Sequence, residues 1–319
     1  MSTEGGTKAV VAALVANAGI AVSKFVAFLF TGSSSMLSEA IHSVADSCNQ
    51  VLLLVGGKRS RRQATDTHQF GYGRLRYVYS FVVSIVLFVV GGLYSLYEGL
   101  HKVQNPEEVN DAWIAFLVLI IAIVLESFSF RTAIREANHS RGDRSLRQFV
   151  KDARQPELPV ILLEDAGALV GLVFALVGVS LAVVTGDGRW DGLGAMAVGL
   201  LLVCIAVFLS REMASMLVGE SALPEEEARI RGALLTVAEV NRVIALRTLH
   251  VGPDEILVAA KVAIDHDDTG AEIAAGIDAA ERAIREAVPS ARYVYIEPDL
   301  DRLIDRGPGG VPTGGLPSA

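Results

Sequence analysis

Residues 158–184 read LPVILLEDAGALVGLVFALVGVSLAVV. Apart from the adjacent pair Glu164-Asp165, the run carries no charge. A bilayer core about 30 Å thick needs roughly 20 apolar residues in a helix that rises 1.5 Å per residue, and this run is long enough. Five other stretches are of the same kind: Ala9–Phe30, Met36–Gly57, Val78–Leu100, Ala112–Phe130 and Gly192–Leu209. The last hundred residues contain none. The chain therefore reads as a multi-pass α-helical membrane protein with six transmembrane helices and a soluble tail.

The clustering decides this, because a hydrophobic content of 51% in 319 residues is also within reach of soluble domains. The net charge of −8 is unevenly placed. From Gly219 onward there are 18 acidic and 10 basic residues, which leaves the first 218 near neutral. No basic footprint is available for nucleic acid. Cys48 and Cys204 lie in spans, form no CxxC motif, and are expected to be buried small apolar residues. The first span is longer than the apolar core of a signal peptide and follows no strongly basic segment, so it is expected to be retained.

Loop charge sets the orientation. Lys58, Arg59, Arg61, Arg62, Arg74 and Arg76 lie between the second and third spans. Arg131, Arg135, Arg141, Arg144, Arg147, Lys151 and Arg154 lie between the fourth and fifth. The alternate loops, Thr31–Ser35, Gln104–Asp111 and Thr185–Asp191, hold only Arg189. The positive-inside rule puts the basic loops, and with them both termini, in the cytoplasm; a cell (inner) membrane is the expected location. Thr31–Ser35 offers hydroxyls to cap the second helix, Asn105-Pro106 breaks the chain, and Thr185-Gly186-Asp187-Gly188 turns it.

The tail reads as a compact α+β domain over residues 219–306, following a transmembrane domain over 1–218. Pro224-Glu225-Glu226-Glu227 opens a helix. Val243–Val251 and Ile256–Ile264 form a hairpin about Gly252-Pro253-Asp254-Glu255. A helix from Thr269 to Val288 places Ile273, Ile277, Ala280 and Ile284 on one face, and Arg292–Glu297 is a third strand. Residues 307–319, rich in Gly and Pro, are expected to be disordered.

Charges inside spans point to function, because each costs at least ~2.5–3.5 kcal/mol at the bilayer centre. The second span holds Glu39, His42, Asp46 and Asn49. Positions 42, 46 and 49 follow the i, i+4, i+7 spacing of one helix face. An imidazole and a carboxylate at that spacing can hold a divalent cation, or each can be hydrogen-bonded within the bundle, Asp46 with Lys24. In the fifth span, Glu164 and Asp165 point about 100° apart, so only one can face Asp46 directly; the other turns aside or supports it. Asn17 and Lys24 share a face of the first span, and Lys24 either neutralises a carboxylate or snorkels. Glu126, toward the inner end of the fourth span, either relays protons or pairs with Arg131.

These residues fall within a resemblance. Residues 31–46, TGSSSMLSEAIHSVAD, and 68–74, HQFGYGR, resemble the signature of the cation diffusion facilitator (CDF) family. Residues 41–56, the LLED of 162–165 and the LRTLHVGPDE of 246–255 resemble most its zinc transporter nine branch. The resemblance implies a ferredoxin-like, metallochaperone-like cytoplasmic domain. It also implies a homodimer that exports zinc, or a similar cation, by alternating access in exchange for protons. Zinc members have an H-x-x-x-D pair in the fifth span. Asp165 matches its second position, but Ile161 stands at the first, so Glu164, Asn49 or water would have to compensate. A carboxylate-rich site of this kind suits manganese, cobalt or iron(II) more readily than a two-His site does.

His68 matches one ligand of an accessory loop site, with Tyr72 where a second His is common. No His lies near Ile244, Ala260 or Val294–Glu297, where the family's tail ligands fall. His266, flanked by Asp265, Asp267 and Asp268, reads as a solvated turn. The tail is thus expected to dimerise without a metal.

The expected mechanism has His42, Asp46 and Asp165 binding one divalent cation, zinc first, with Glu164 assisting. Protons compete for the same groups, since metal ligands must be deprotonated, and His42 is the natural exchange point. No tightly bound cofactor is expected. A family member that senses metal or scaffolds an interaction without transport is the alternative reading. The absence of HExxH, GxSxG or a similar nucleophile arrangement speaks against an enzyme.

Overall fold

The computed structural model describes residues 3–31, 34–106, 112–142 and 144–300 of the chain. Within these, the side chains of residues 3–9, 27, 28, 30, 31, 34–42 and 45 are outside the description. The chain divides between Val218 and Gly219 into two compact units.

The first unit is helical: α1 (Thr3–Thr31), α2 (Ser34–Ser60), α3 (Leu75–Gln104), α4 (Ala112–Arg141), α5 (Leu146–Asp152), α6 (Glu157–Thr185) and α7 (Arg189–Val218). Four of these, α3, α4, α6 and α7, are long and apolar enough to cross a bilayer, and α1 contains a shorter apolar run, Val10–Val26. The sequence reading of six spans is therefore met in four helices of the described residues. The second predicted span lies within α2, whose run is broken by Asp46, Asn49 and Gln50.

Breakers end the helices where the sequence placed them. α3 stops at Gln104 before Asn105-Pro106. α6 ends on Gly186, whose φ of 69° is the left-handed cap that favours a residue without Cβ. Within α3, Leu87–Leu93 forms a π-helical turn. α5, which the span count did not include, is a short helix in the basic loop; Ser145 caps it by accepting from the Gln148 amide at 3.2 Å.

α1 packs on α2 and α4, α6 on α4 and α7, and α3 on α7. Their shared core includes Val10, Ala13, Leu53, Leu87, Ala133, Ile161 and Leu209. The outward faces are equally apolar. Val15 is 68% exposed, Phe128 66% and Val173 53%, surface of the kind that lipid solvates. Cys48 and Cys204 belong to these outward faces. The expectation that they are buried is thus overturned: in a bundle with lipid outside, a small apolar residue has no reason to face inward.

The second unit runs α8 (Pro224–Leu234), β1 (Arg242–Gly252), β2 (Glu255–Ile264), α9 (Gly270–Ala287), β3 (Ala291–Leu300). This is the predicted order of helix, two strands, helix and strand. β1 and β2 pair antiparallel with Leu246 opposite Ala260, and β2 and β3 pair parallel with Val258 opposite Val294. α9 makes the crossover that a parallel pair needs. The core comprises Ile230, Leu234, Ile256, Val258, Ala280 and Ile284, all 0% exposed or, in the case of the lining Val294, 6%. β3 extends past the predicted Glu297 to Leu300, where Lys261 of β2 bridges Glu297 at 2.9 Å and Asp299 at 3.0 Å.

α9 begins with a capping box: the Thr269 hydroxyl accepts from the Glu272 amide, and Glu272 Oε2 accepts from the Thr269 amide at 2.8 Å. Replacing Thr269 with alanine is expected to destabilise the helix start by about 1 kcal/mol, read as faster amide exchange in the first turn of α9. The Thr269 backbone and hydroxyl donors hold the Glu272 carboxyl below the usual carboxylate range. With a lowered folded-state value, its contribution is present above the unfolded value and fades as pH falls through the folded one. Protection factors in that turn, taken against the intrinsic exchange rate at each pH, should therefore fall on acidification in the wild type, and fall less in Glu272→Gln.

Candidate functional site

Among the described residues of the first unit, buried polar side chains of α1, α2, α4 and α6 come together in a cluster. It begins on α1, where Asn17 and Lys24, seven residues apart and so on one face, are both buried. Lys24 does not snorkel to a surface; its Nζ donates to Ser43 Oγ on α2 at 3.0 Å. Asn17 Nδ2 donates to Gln50 Oε1 at 3.3 Å. Gln50 Nε2 in turn donates to Glu164 Oε2 on α6 at 3.2 Å, and Asn49 Nδ2 to Glu164 Oε1 at 3.2 Å. Both oxygens of the Glu164 carboxylate are thus held by consecutive amides of α2.

Asp165, 1% exposed, turns the other way. Its Oδ2 accepts from Ser129 Oγ of α4 at 2.7 Å. The 100° between neighbouring helix positions is resolved here: Glu164 looks toward α2 and Asp165 toward α4. The sequence reading gave the leading role to Asp165 and the assisting role to Glu164; the hydrogen bonds show only which helix each carboxylate meets.

Asp46 is half-buried and lies within electrostatic reach of Glu164, Asp165 and Glu126. The side chains of Glu39 and His42 lie outside the described residues, so the His42–Asp46 pairing does too. Among the described residues, no three His, Cys, Asp or Glu side chains are grouped to hold a metal ion. Two carboxylates of the cluster are steadied by neutral donors: Glu164 by amides and Asp165 by a hydroxyl.

His68 is not part of this cluster. It is exposed in the turn before α3, its ring 4.6 Å from that of Tyr72. In the second unit, His266 is exposed beside Asp267 at 3.9 Å, a solvated turn as read from sequence. His250 is buried in β1, its Nδ1 3.3 Å from the Gly252 carbonyl oxygen.

Gln50 and Ser129 escaped the sequence reading, although each carried a signal. Gln50 lies four residues after Asp46 and Ser129 three after Glu126, each hence on the same helix face as the carboxylate.

A second polar contact closes the same end of α3 and α6. Arg76 Nε donates to Glu157 Oε1 and its Nη2 to Oε2 at 2.6 Å, both side chains 9% exposed. Tyr77 adds a hydrogen bond to the Arg154 carbonyl at 3.0 Å. Toward the other end of the bundle, Lys102 of α3 pairs with Asp191 of α7 at 3.0 Å.

With this geometry in place, comparison with known proteins is informative. Residues 10–218 match the cation efflux transmembrane domain, and residues 222–299 match the cation efflux protein cytoplasmic domain. The chain is similar to the mitochondrial proton-coupled zinc antiporter SLC30A9 of Mus musculus, 31% identical over 264 residues, which is 82% of this chain and 47% of the antiporter. It spans about half the length of that relative. It is also similar to the manganese efflux system protein MneP of Bacillus subtilis, 24% identical over 268 residues, 82% of this chain and 85% of MneP. Among solved structures, a nickel form of a variant MamM C-terminal domain covers 25% of this chain at 20% identity, with a TM-score of 0.24. The transmembrane match and the four apolar helices make the chain an integral membrane protein.

Proposed function

Because the chain belongs to the cation efflux family, in which metal-cation transporters and not enzymes are found, we propose that it is a secondary transporter exchanging a divalent cation for protons. Its six spans, formed by α1, α2, α3, α4, α6 and α7, would place both termini and the second unit in the cytoplasm, in accord with the basic loops. Two copies would associate through the second unit without a bridging metal.

The observation that carries this reading is the junction of α2 with α6 inside the bundle. Asn49 and Gln50 deliver two amides to Glu164, one helical turn from Asp46. Two helices are thereby joined at a point where bare carboxylates would otherwise be costly in lipid. A cation entering here replaces the amide donors as the partner of Glu164. His42 and Asp46 supply ligands from α2, Glu164 and Asp165 from α6. Zinc is the leading cargo, as the name of the SLC30A9 relatives suggests. Manganese, cobalt and iron(II) are next, since a site with more carboxylate than imidazole accepts harder ions. Protons compete for the same oxygens and imidazole, which couples their movement to that of the metal. Export from the cytoplasm follows the family.

The test is metal flux into proteoliposomes under an imposed pH gradient, with zinc, manganese, cobalt and iron(II) in parallel. Gradient-dependent flux in the wild type, reduced at least 100-fold in Asp46→Ala and Glu164→Ala, is the expected result. Absence of flux from folded wild-type protein would favour a metal sensor or interaction scaffold instead.

A further inference from the structure

Among the described residues, Glu126 is the one buried carboxylate of the cluster that this mechanism leaves idle. The sequence places it toward the inner end of a span ending at Phe130. The helix continues to Arg141, so Glu126, fourteen residues from Ala112 and fifteen from Arg141, sits at its midpoint. It is 7% exposed, and its Oε2 is sealed from solvent with no hydrogen-bond donor. Arg131, the partner considered from sequence, is exposed and makes no ion pair with it among the described residues. Ser129, one turn along the same face, gives its hydroxyl to Asp165 instead.

Groups facing Glu126 come from three other helices: Asp165 on α6, Asp46 on α2 and Lys24 on α1 all act on it electrostatically. Two of the three are carboxylates. Lys24 also has Ser43 to serve at 3.0 Å. A second buried acceptor in the same cluster lacks a donor, Asn49 Oδ1 on α2. Buried oxygens are nearly always hydrogen-bonded, and two in this cluster, one on α4 and one on α2, have no donor; with Asp165 and Asp46 acting on Glu126, a cation is the partner such acceptors call for.

We infer that Glu126 coordinates the transported cation, so that the site draws oxygen ligands from α4 as well as from α2 and α6. This rests on the transporter reading above and deepens it. Ser129 then has a positioning role, tying α6 to the face of α4 that carries Glu126. Occlusion would bring Glu126 and Asp165 together around the ion. A further carboxylate oxygen favours harder, oxygen-preferring divalent ions, so Glu126 raises the affinity for manganese(II) more than that for zinc(II) and narrows the gap between them.

Titration calorimetry of the purified full-length protein with zinc(II) and with manganese(II) tests this in wild type, E126Q and E126D. E126Q keeps the shape and removes the charge; E126D keeps the charge. The expected result is a loss of manganese affinity of at least tenfold in E126Q, a smaller loss for zinc, and recovery of most manganese affinity in E126D. Wild-type affinities for both ions in E126Q would overturn the inference while leaving the transporter reading intact. Equal loss of both ions in E126Q and E126D, together with a lowered melting temperature, would also overturn it, by showing a purely structural role. A wild type that binds neither ion would instead sink the reading beneath it.

Discussion

Arg76→Ala is expected to destabilise the protein by about 3–5 kcal/mol, because it strands the Glu157 carboxylate in a buried position. Both oxygens of Glu157 are occupied by the Arg76 guanidinium, and both side chains are 9% exposed. Little water can reach the orphaned charge. The bidentate geometry also argues against lysine as a substitute, since an ammonium cannot match two carboxylate oxygens in one plane. Glu157→Ala should be as harmful, for the converse reason. The double change Arg76→Met with Glu157→Leu should recover much of the loss, because it removes both desolvated charges at once. Thermal unfolding in detergent measures all three. A single variant as stable as the wild type would show that the pair is solvated in the membrane-embedded protein. The contact joins α3 to α6 at the end of the bundle next to the basic Arg154 loop, so the single variants should also lose flux in proportion to their folded fraction.

The second large effect is steric. Gly192→Leu should prevent α3 and α7 from packing. A Cβ at position 192 would lie 2.8 Å from the Gly99 carbonyl oxygen and 2.9 Å from the Val103 amide nitrogen. The reciprocal contact is as tight, with a Cβ at Gly99 meeting the Gly192 carbonyl oxygen at 2.7 Å. Both obstacles are backbone, which cannot rotate aside as a side-chain tip does. Small residues serve this purpose in membrane helices, where no hydrophobic drive pulls helices together and close backbone approach supplies the attraction. Overpacking typically costs about 1–3 kcal/mol, and more where backbone must shift. The expected outcome is loss of the monodisperse folded species on size-exclusion chromatography. As a control, Gly57→Leu, at a position with open space for a Cβ, should leave the profile unchanged.

Much of this protein is written in local pattern. The length of an apolar run is a direct measure of a span, so Leu158–Val184 identified α6 almost to its ends. Alternation and turn residues gave the β1–β2 hairpin, and the helical spacing of Ile273, Ile277, Ala280 and Ile284 gave α9. Candidate site residues were legible for a similar reason: Asp46, Glu164, Asp165 and Glu126 stand out because a charge in an apolar run must be justified energetically.

What those patterns leave open is the rotation of each helix about its own axis. A run of apolar residues on all sides has no preferred face, since lipid and protein interior are equally apolar. The sequence therefore determined that Cys48 and Cys204 lie within spans, but only packing decided that they point outward. It determined that Glu164 and Asp165 point in different directions, while the packing of α6 against α4 and α7 decided that Glu164 meets Asn49 and Gln50 and that Asp165 meets Ser129. It determined that Glu126 is a charge in lipid, and only the assembled bundle set it among Asp165, Asp46 and Lys24 with an oxygen left bare. Length and charge are properties of one segment and can be read from it; facing is a property of several segments at once and exists only after they pack.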